Sequence, residues 1–542
     1  MARPDPLDQY SALTPSRFGH TPALWLALPL LIGCSVDAGW SVAPGPCLLL
    51  GAVAAMIAWL TSRHEYLCLF AIGLAGILFG AAWHQLKIPP QTRPPLRRNF
   101  AELPVRVEHA TPRKTGEGWT GLGVITDRDG GLFRRRVALS VHGACPADGT
   151  ELMIAGHIEA LPVNPQGFDA WVASQGATLR LGGGRNLGVL APPSRFSTWC
   201  QAQETRLEQW LRRLPWKDDD GGALLAATML GRTSLLPADA KAAFMITGTL
   251  HLFAISGLHI AGMTAALLWV AKRLRLPAIP AGIAVLGLLW IYVEITGASP
   301  SSVRAWIMAA FIWGGQVGER STPALQSLAL ACAATLLISP EACTDAGFQL
   351  SYIAVLGLIT AGGPAARLCT QPTEEERLTP GSSRTSAQRL RWWLRKFLLS
   401  GLCISCAATL AGTPLTLGLF GSASWGGLFV NLVLVPLSEI PLILGMASTA
   451  CSVSDWLLWL GAWLNGTAAA CLHTMTWCAE ACAQIPTMNL HLTLARPWLG
   501  PAGGALMAAA FLLQAESKSV RRLLGVPALA LLLWLSLAWL LQ

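Results

Sequence analysis

Apolar runs of about 20 residues, the length that crosses a hydrocarbon core, recur near 22–40, 44–61 and 66–85. They return near 249–270, 277–296, 301–318, 323–339, 345–362, 394–412, 425–448, 456–482, 498–514 and 523–541. The pattern predicts about thirteen membrane-spanning helices. Between the two sets, residues 103–190 alternate with period two instead, as in Val105-Arg106-Val107-Glu108 and Val137-Ala138-Leu139-Ser140-Val141. Turn residues such as Asp129-Gly130-Gly131 and Asp148-Gly149 break these stretches, which predicts a small antiparallel β barrel or sandwich. Residues 195–214 set Trp199, Leu207, Trp210 and Leu214 among Arg206, Glu208, Arg212 and Arg213. That amphipathic helix suits either the membrane surface or the wall of the barrel. The stretch 221–248 is too interrupted for a span and predicts a pair of short helices dipping into the membrane, where protein or water must surround them. No small-residue cleavage site follows the first apolar run, so it reads as an uncleaved membrane helix.

Composition agrees with that pattern. Hydrophobic residues make up 53 % of the 542 and charged residues 13 %, against roughly 25 % charged in a soluble domain. A disordered chain, a collagen-like chain and an ordinary cytosolic enzyme are excluded. The net charge of +9 is concentrated: residues 87–217 hold 18 Lys and Arg against 11 Asp and Glu, leaving only +2 for the other 411 residues. Basic loops at Lys272-Arg273-Leu274-Arg275, within 364–393 and at Lys518–Arg522 belong in the cytoplasm by the positive-inside rule. The N-terminus is then inside, and both the basic module 87–217 and the C-terminus are outside. An excess of +7 on the outer side suits an anionic ligand. The fourteen cysteines are too scattered for a disulfide framework, although Cys145 and Cys200 of the outer module could bridge in an oxidising compartment.

Four polar clusters interrupt the apolar part. The first is His251-Leu252-Phe253-Ala254-Ile255-Ser256-Gly257-Leu258-His259, where a continuous helix would place His251, Ile255 and His259 on one face. The second runs from Glu294 through Thr296-Gly297-Ala298-Ser299-Pro300-Ser301-Ser302 to Arg304, and the third sets Asp345, Gln349 and Tyr352 on one stripe. The fourth extends from Gly418-Leu419-Phe420-Gly421 to Asn431 and Glu439. Such groups either stitch helices together or line a polar path. A metalloprotease is disfavoured because no carboxylate sits between the two histidines. A hydrolase using Ser256 with His259 lacks an elbow of the GxSxG type. No GxxxxGK[ST] loop is present, so motive force is expected from another protein or a gradient.

The runs TGTLHLFAISGLHI, ITGASPSSVRAWIM, DAGFQLSYIAVLGL and FGSASWGGLFVNLVLVPL resemble the membrane core of the ComEC-type competence proteins, channels that internalise transforming DNA. Val163-Asn164-Pro165-Gln166-Gly167-Phe168-Asp169, with Gln166 where the family has a second glycine, resembles the end of that family's OB-like domain. The resemblance implies a polytopic α-helical membrane protein with an inserted small β OB-like extracytoplasmic domain. It implies N-terminal helices over 1–86, the OB-like domain over 87–194, an amphipathic linker over 195–220, a channel core over 221–452 and C-terminal helices over 453–542. The function implied is uptake of single-stranded DNA across the inner membrane during natural transformation, with no enzyme activity and no cofactor or metal in this chain. Many members continue into a metallo-β-lactamase-like domain. Here only His473 and His491 follow His259 and no HxHxDH cluster occurs, so any nuclease is expected on a separate polypeptide. The other expected partners are membrane lipids, a periplasmic DNA-binding protein and a cytoplasmic helicase-like motor.

An OB-like domain binds a single strand through a basic groove and aromatic stacking. The candidates are Arg106, Arg113, Lys114, Arg128, Arg134, Arg135 and Arg136, with Trp119 and Phe133 for stacking. The strand would then pass His251, Ser256, Gly257, His259, Glu294, Arg304, Asp345, Gln349, Tyr352, Asn431 and Glu439. The rival function is transport of another anionic or lipid-linked substrate through the same polar stripes.

Overall fold

The computed structural model describes residues 21–541, apart from 41–42, 62–63, 88–98, 114–117, 128–131, 133–134, 162–176, 178, 256, 319–322, 380–382, 486–488, 493, 495 and 497. The chain falls into two compact units. One holds Trp25–Thr205 and Cys332–Gln349; the other holds Arg206–Ala331, Leu350–Gln542 and the chain up to Leu24.

In the first unit three helices, α1 (Leu24–Trp40), α2 (Pro44–Leu60) and α3 (Glu65–Lys87), precede the β module. Its strands are β1 (Asn99–Pro112), β2 (Trp119–Ile125), β3 (Arg136–His142), β4 (Glu151–Ala160) and β5 (Leu179–Ala191). They form a closed barrel in the order β1-β2-β3-β5-β4. The long β1 closes it, pairing with β4 through residues 99–106 and with β2 through 105–112. All neighbours are antiparallel except β3 and β5, which run parallel. This is the five-stranded OB topology. The alternation read from the sequence puts Val105, Val107, Leu139, Val141 and Ile154 inside, packed around Trp119.

Helix α4 (Arg195–Leu211) follows. On its first half the Ser197 hydroxyl and the Gln201 amide donate to the Asp148 carbonyl at 3.2 and 2.7 Å. Cys200 and Glu204 are buried, and Phe196 and Trp199 are left exposed. Of the two sites expected for this helix, this half takes the wall of the barrel. Cys145 is exposed and Cys200 buried, and both are free thiols, so the bridge considered above is not formed.

Helices dominate the rest of the chain: α5 (Asp219–Leu230), α6 (Ala238–Ile246), α7 (Gly257–Arg273), α8 (Ala278–Ile295), α9 (Pro300–Val317) and α10 (Ala324–Ile338). Then come α11 (Ala346–Gly357), a π turn, α12 (Gly363–Cys369), α13 (Glu374–Leu378), α14 (Ser386–Phe420), α15 (Gly427–Cys451) and α16 (Leu458–Ala483). The last are α17 (Leu499–Gln514) and α18 (Val520–Leu540); two short strands, β6 (Ser422–Ser424) and β7 (Asn489–His491), pair with each other. Six segments among the described residues are long and apolar enough to cross a membrane: 66–87, 278–295, 346–369, 386–420, 427–451 and 520–540. The protein is a polytopic membrane protein carrying an OB-like barrel. A helix stands at each of the other expected spans, most of them shorter. As expected, 221–248 forms two short helices, and α5 is buried on every side from Gly221 to Leu230. One expectation is corrected: 249–270 is not a single helix, because the chain breaks between Ile246 and Gly257.

Candidate functional site

The break between α6 and α7 is where the polar runs of the second unit meet. It is set by Gly248, which turns the chain at φ 71°, a conformation that costs a residue with a Cβ about 1–2 kcal/mol. Beyond it, Leu250–Phe253 makes one 3-10 turn, and Ala254 leaves it in an extended conformation. Leu252 and Phe253 are buried. The rings of Phe253 and Phe244 meet edge to face at 4.7 Å, which fixes the turn against α6. Broken backbone within a membrane protein must have its polar groups satisfied by protein or by a wet cavity, and here side chains from two other runs satisfy them. Ser301, on the first turn of α9, donates its hydroxyl to the Ile255 carbonyl at 2.9 Å. On the far side of the break, Ser424 donates to the Ile246 carbonyl at 3.1 Å. Thr247 returns its own hydroxyl to the Ala243 carbonyl at 2.9 Å.

The fit is close. A Cβ at Gly248 would lie 2.6 Å from the Cβ of Ser424, and one at Gly427 would lie 3.1 Å from the Thr247 carbonyl. The turn before α9 is itself strained. Gly297 (φ 85°) is followed by Ala298 at φ 46°, one of two described non-glycine residues in the left-handed region. Strain of that kind is held only where surrounding contacts over-determine it. Ser299 then caps α9, its hydroxyl accepting from the Ser302 N–H.

The expected pathway residues divide into distinct positions. His251 is exposed on the 3-10 turn, with Nδ1 3.1 Å from the Gly248 carbonyl. His259 is buried in the first turn of α7. The shared helical face expected for these two is therefore corrected, because the break separates them. Gly257 opens α7, and Ser256 lies outside the described residues. Glu294 is half-buried on the last turn of α8. The buried Arg304 guanidinium lies over the Tyr352 ring, 5.2 Å from its centre. Asp345 and Gln349 are occupied by local work. The Asp345 carboxylate accepts from the Phe348 N–H at 2.6 Å and the Gln349 amide donates to the Cys343 carbonyl at 2.9 Å. Asn431 and Glu439 are half-buried on α15, and Asn431 Oδ1 and Glu439 Oε1 have no hydrogen-bond partner among the described residues.

On the barrel, one expectation is corrected and others are narrowed. Trp119 is fully buried in the core and offers no ring face to a base. Arg135 is buried too, and burial pushes its guanidinium below the ordinary arginine range. Arg106 is exposed. The Arg113 guanidinium donates to the Ser140 hydroxyl, and Arg136 pairs with Glu108 at 3.2 Å. Lys114, Arg128, Phe133 and Arg134 lie outside the described residues. Sequence reasoning missed Phe100, which is 65 % exposed on β1 with its ring 5.6 Å from that of His157. The signal was present: Phe100 shares the outward phase of Arg106 and Glu108 on the same strand, an aromatic at a polar position.

Also missed was a set of ties that holds the segment leading into α5. The Trp210 indole donates to the Ser448 hydroxyl at 3.0 Å, and the Asn465 amide donates to the Trp210 carbonyl at 3.0 Å. Asp218 caps α5 by accepting from the Gly221 N–H at 2.8 Å and lies 2.9 Å from His473 Nε2. Burial pushes the Asp218 carboxyl up, but the Gly221 N–H and His473 outweigh it and hold the group below the ordinary carboxylate range.

A family model described as Competence protein matches residues 228–517, over half of the chain. Over 140 residues the sequence is 32 % identical to ComE operon protein 3 of Bacillus subtilis (strain 168), covering 26 % of this chain and 18 % of that protein. Over 220 residues it is 34 % identical to Competence protein ComA of Neisseria gonorrhoeae, covering 36 % of this chain and 29 % of that protein. The matches thus span less than a third of either relative's length. No solved structure matches. The family match contains the helix break, Ser301, Arg304, Tyr352, Ser424, Asn431 and Glu439.

Proposed function

The chain belongs to the Competence protein family, and from that premise we propose that it is an inner-membrane channel taking up single-stranded DNA during natural transformation. The observation that carries the reading is the helix break at 246–257, on which the second and fourth polar runs converge through Ser301 and Ser424. Continuous helices are the cheap solution in a bilayer, and irregular backbone at depth is kept where it lines a cavity or path. His251, exposed at the break, is the group on this path suited to a passing phosphate backbone, and Arg304 is buried beside Tyr352. The OB-like barrel is the outer landing site. Its exposed Phe100 and Arg106 supply a stacking face and a cation, the two elements that single-strand binders combine.

The chemistry in this reading is transport. The strand binds outside by charge neutralisation, so affinity falls with salt, with a slope of about −0.7 per phosphate contact. A periplasmic DNA-binding protein would deliver the strand, a cytoplasmic helicase-like motor would draw it in, and a separate nuclease would remove its complement. The test is transformation frequency, together with uptake of labelled DNA, in strains carrying His251→Ala or Arg304→Ala at normal membrane abundance. Loss of both DNA uptake and transformation supports the channel. Full uptake in a deletion strain contradicts it and favours transport of another anionic substrate.

A further inference from the structure

Glu439 is the one charged residue of α15 and stands at its midpoint, thirteenth of twenty-five residues in a candidate membrane span. A carboxylate at mid-span is costly and is a functional group by default. Its surroundings do not neutralise it. Glu439 Oε1 is buried and has no hydrogen-bond partner among the described residues, and no cation pairs with it there. Glu439 Oε2 lies against α7 at Gly262, where an added Cβ would be only 3.0 Å away. Glycine at that position lets the carboxylate sit in the crossing. Leu434 and Leu442 nearby on α15 belong to the apolar core, with Val435 and Leu437 packed against it. Pro436 and Pro441 flank the site and interrupt the helix's own hydrogen bonds.

Each packed element brings its own titratable groups. Helix α7 presents His259 one turn before Gly262 and carries Lys272 and Arg273 in its last turn. Helix α16 presents Cys471, whose thiol donates to the Leu437 carbonyl at 3.7 Å; it also carries His473, which contacts Asp218, and Cys478, Glu480 and Cys482 further along. Helix α5 meets α15 at Met229 and Gly445 and carries no titratable side chain after Asp220. Helix α14 touches α15 where Gly401 meets Leu432. Along the antiparallel run from that contact, its nearest charges, Arg395 and Lys396, are both bound to Glu376. No cluster of three metal-ligating side chains occurs among the described residues. What an apolar, cation-poor crossing accepts at a carboxylate is a proton.

We propose that Glu439 is a proton-binding site between α7 and α15, loaded and unloaded as the strand moves, so that a proton gradient contributes to uptake. The coupling half of this proposal rests on the channel reading above; the proton site itself does not. The test is carbodiimide labelling of the purified full-length protein with dicyclohexylcarbodiimide, read by peptide mass spectrometry. That reagent needs a protonated carboxyl in apolar surroundings. The expected adduct is on Glu439, absent in Glu439→Gln, and falling several-fold as the pH is raised and the carboxyl ionises. If Glu439→Gln folds poorly, Glu439→Asp, which keeps the acid, is to label with the same pH dependence. An unlabelled Glu439 beside other labelled carboxyls overturns the site, as does labelling that ignores pH. Labelling with normal transformation in a well-expressed Glu439→Gln strain overturns the coupling and leaves the site. Labelling with normal DNA uptake in a deletion strain overturns the channel reading instead.

Discussion

On the outer wall of the barrel, Arg136 stands beside Glu108 and Arg106 is open to solvent. At the helix break of the core, Ser301, Ser424 and Thr247 turn inward onto backbone carbonyls. The two regions handle polarity oppositely. The barrel pairs each strand with two neighbours in a closed ring, so strand pairing rather than side chains serves most of its backbone. At the break of the core, the Ser301 and Ser424 hydroxyls serve the Ile255 and Ile246 carbonyls. Outward charge in the barrel is therefore expected to change with little effect on fold, whereas a hydroxyl or glycine at the break is expected to bear on the structure around it.

The sharpest way to break this contrast is to attack each region at its own centre. Trp119→Ala removes the largest side chain from the barrel core, which costs about 3–5 kcal/mol. Limited proteolysis is expected to open 99–191 at temperatures where the parent resists. If it does not, Trp119 is not the centre of that core. Gly248→Ala tests the break. It adds about 1–2 kcal/mol of left-handed strain and a Cβ 2.6 Å from that of Ser424. Transformation is expected to be lost with protein still in the membrane fraction; normal transformation would mean the turn can be rebuilt. Ser301→Ala removes the hydroxyl that donates to the Ile255 carbonyl, at about 0.5–1.5 kcal/mol. Lower thermal stability in detergent is expected, and Ser301→Thr is expected to restore it.

Two smaller effects separate the surfaces. Phe100→Ala is expected to weaken single-strand binding by the full chain by about 1–3 kcal/mol, the worth of one stacked base. Its melting temperature should stay unchanged. A weakened fold with unchanged binding would place Phe100 with Trp119 instead. The smallest effect concerns the Asp218–His473 tie. Because Asp218 is held below the ordinary carboxylate range, its contribution is complete above about pH 4 and is lost only as pH falls through the lowered value. The stability gap between the parent and Asp218→Asn is expected to close as pH falls below about 4.

The barrel was largely legible in the sequence because period-two alternation reports directly which side chains point inward. Its strands and core, Val105 to Val141, follow that signal. Alternation gives a face but not a depth, which is why Trp119 read as a stacking surface when it is the barrel's central filler. In the core, apolar run lengths placed the helices, and the polar clusters fell mostly where the helices break or begin, with Glu439 at mid-helix the exception. What those clusters do was not legible. His251 and His259 fit a helical period that Gly248 interrupts, and a glycine's left-handed turn leaves no mark on hydrophobic periodicity. The contacts from Ser301 and Ser424 join residues 46 and 178 positions apart, a distance that no local pattern reports. Phe100 could have been found by asking which aromatic stood in a polar phase.

The central claim is that the strand passes the helix break. The direct test places a photo-crosslinking amino acid at position 251 in a strain that still transforms, and illuminates it during uptake of labelled DNA. The account predicts a crosslink between position 251 and the incoming strand that appears only while uptake proceeds. Normal uptake with no crosslink at 251, and with crosslinks at another membrane segment, would contradict it.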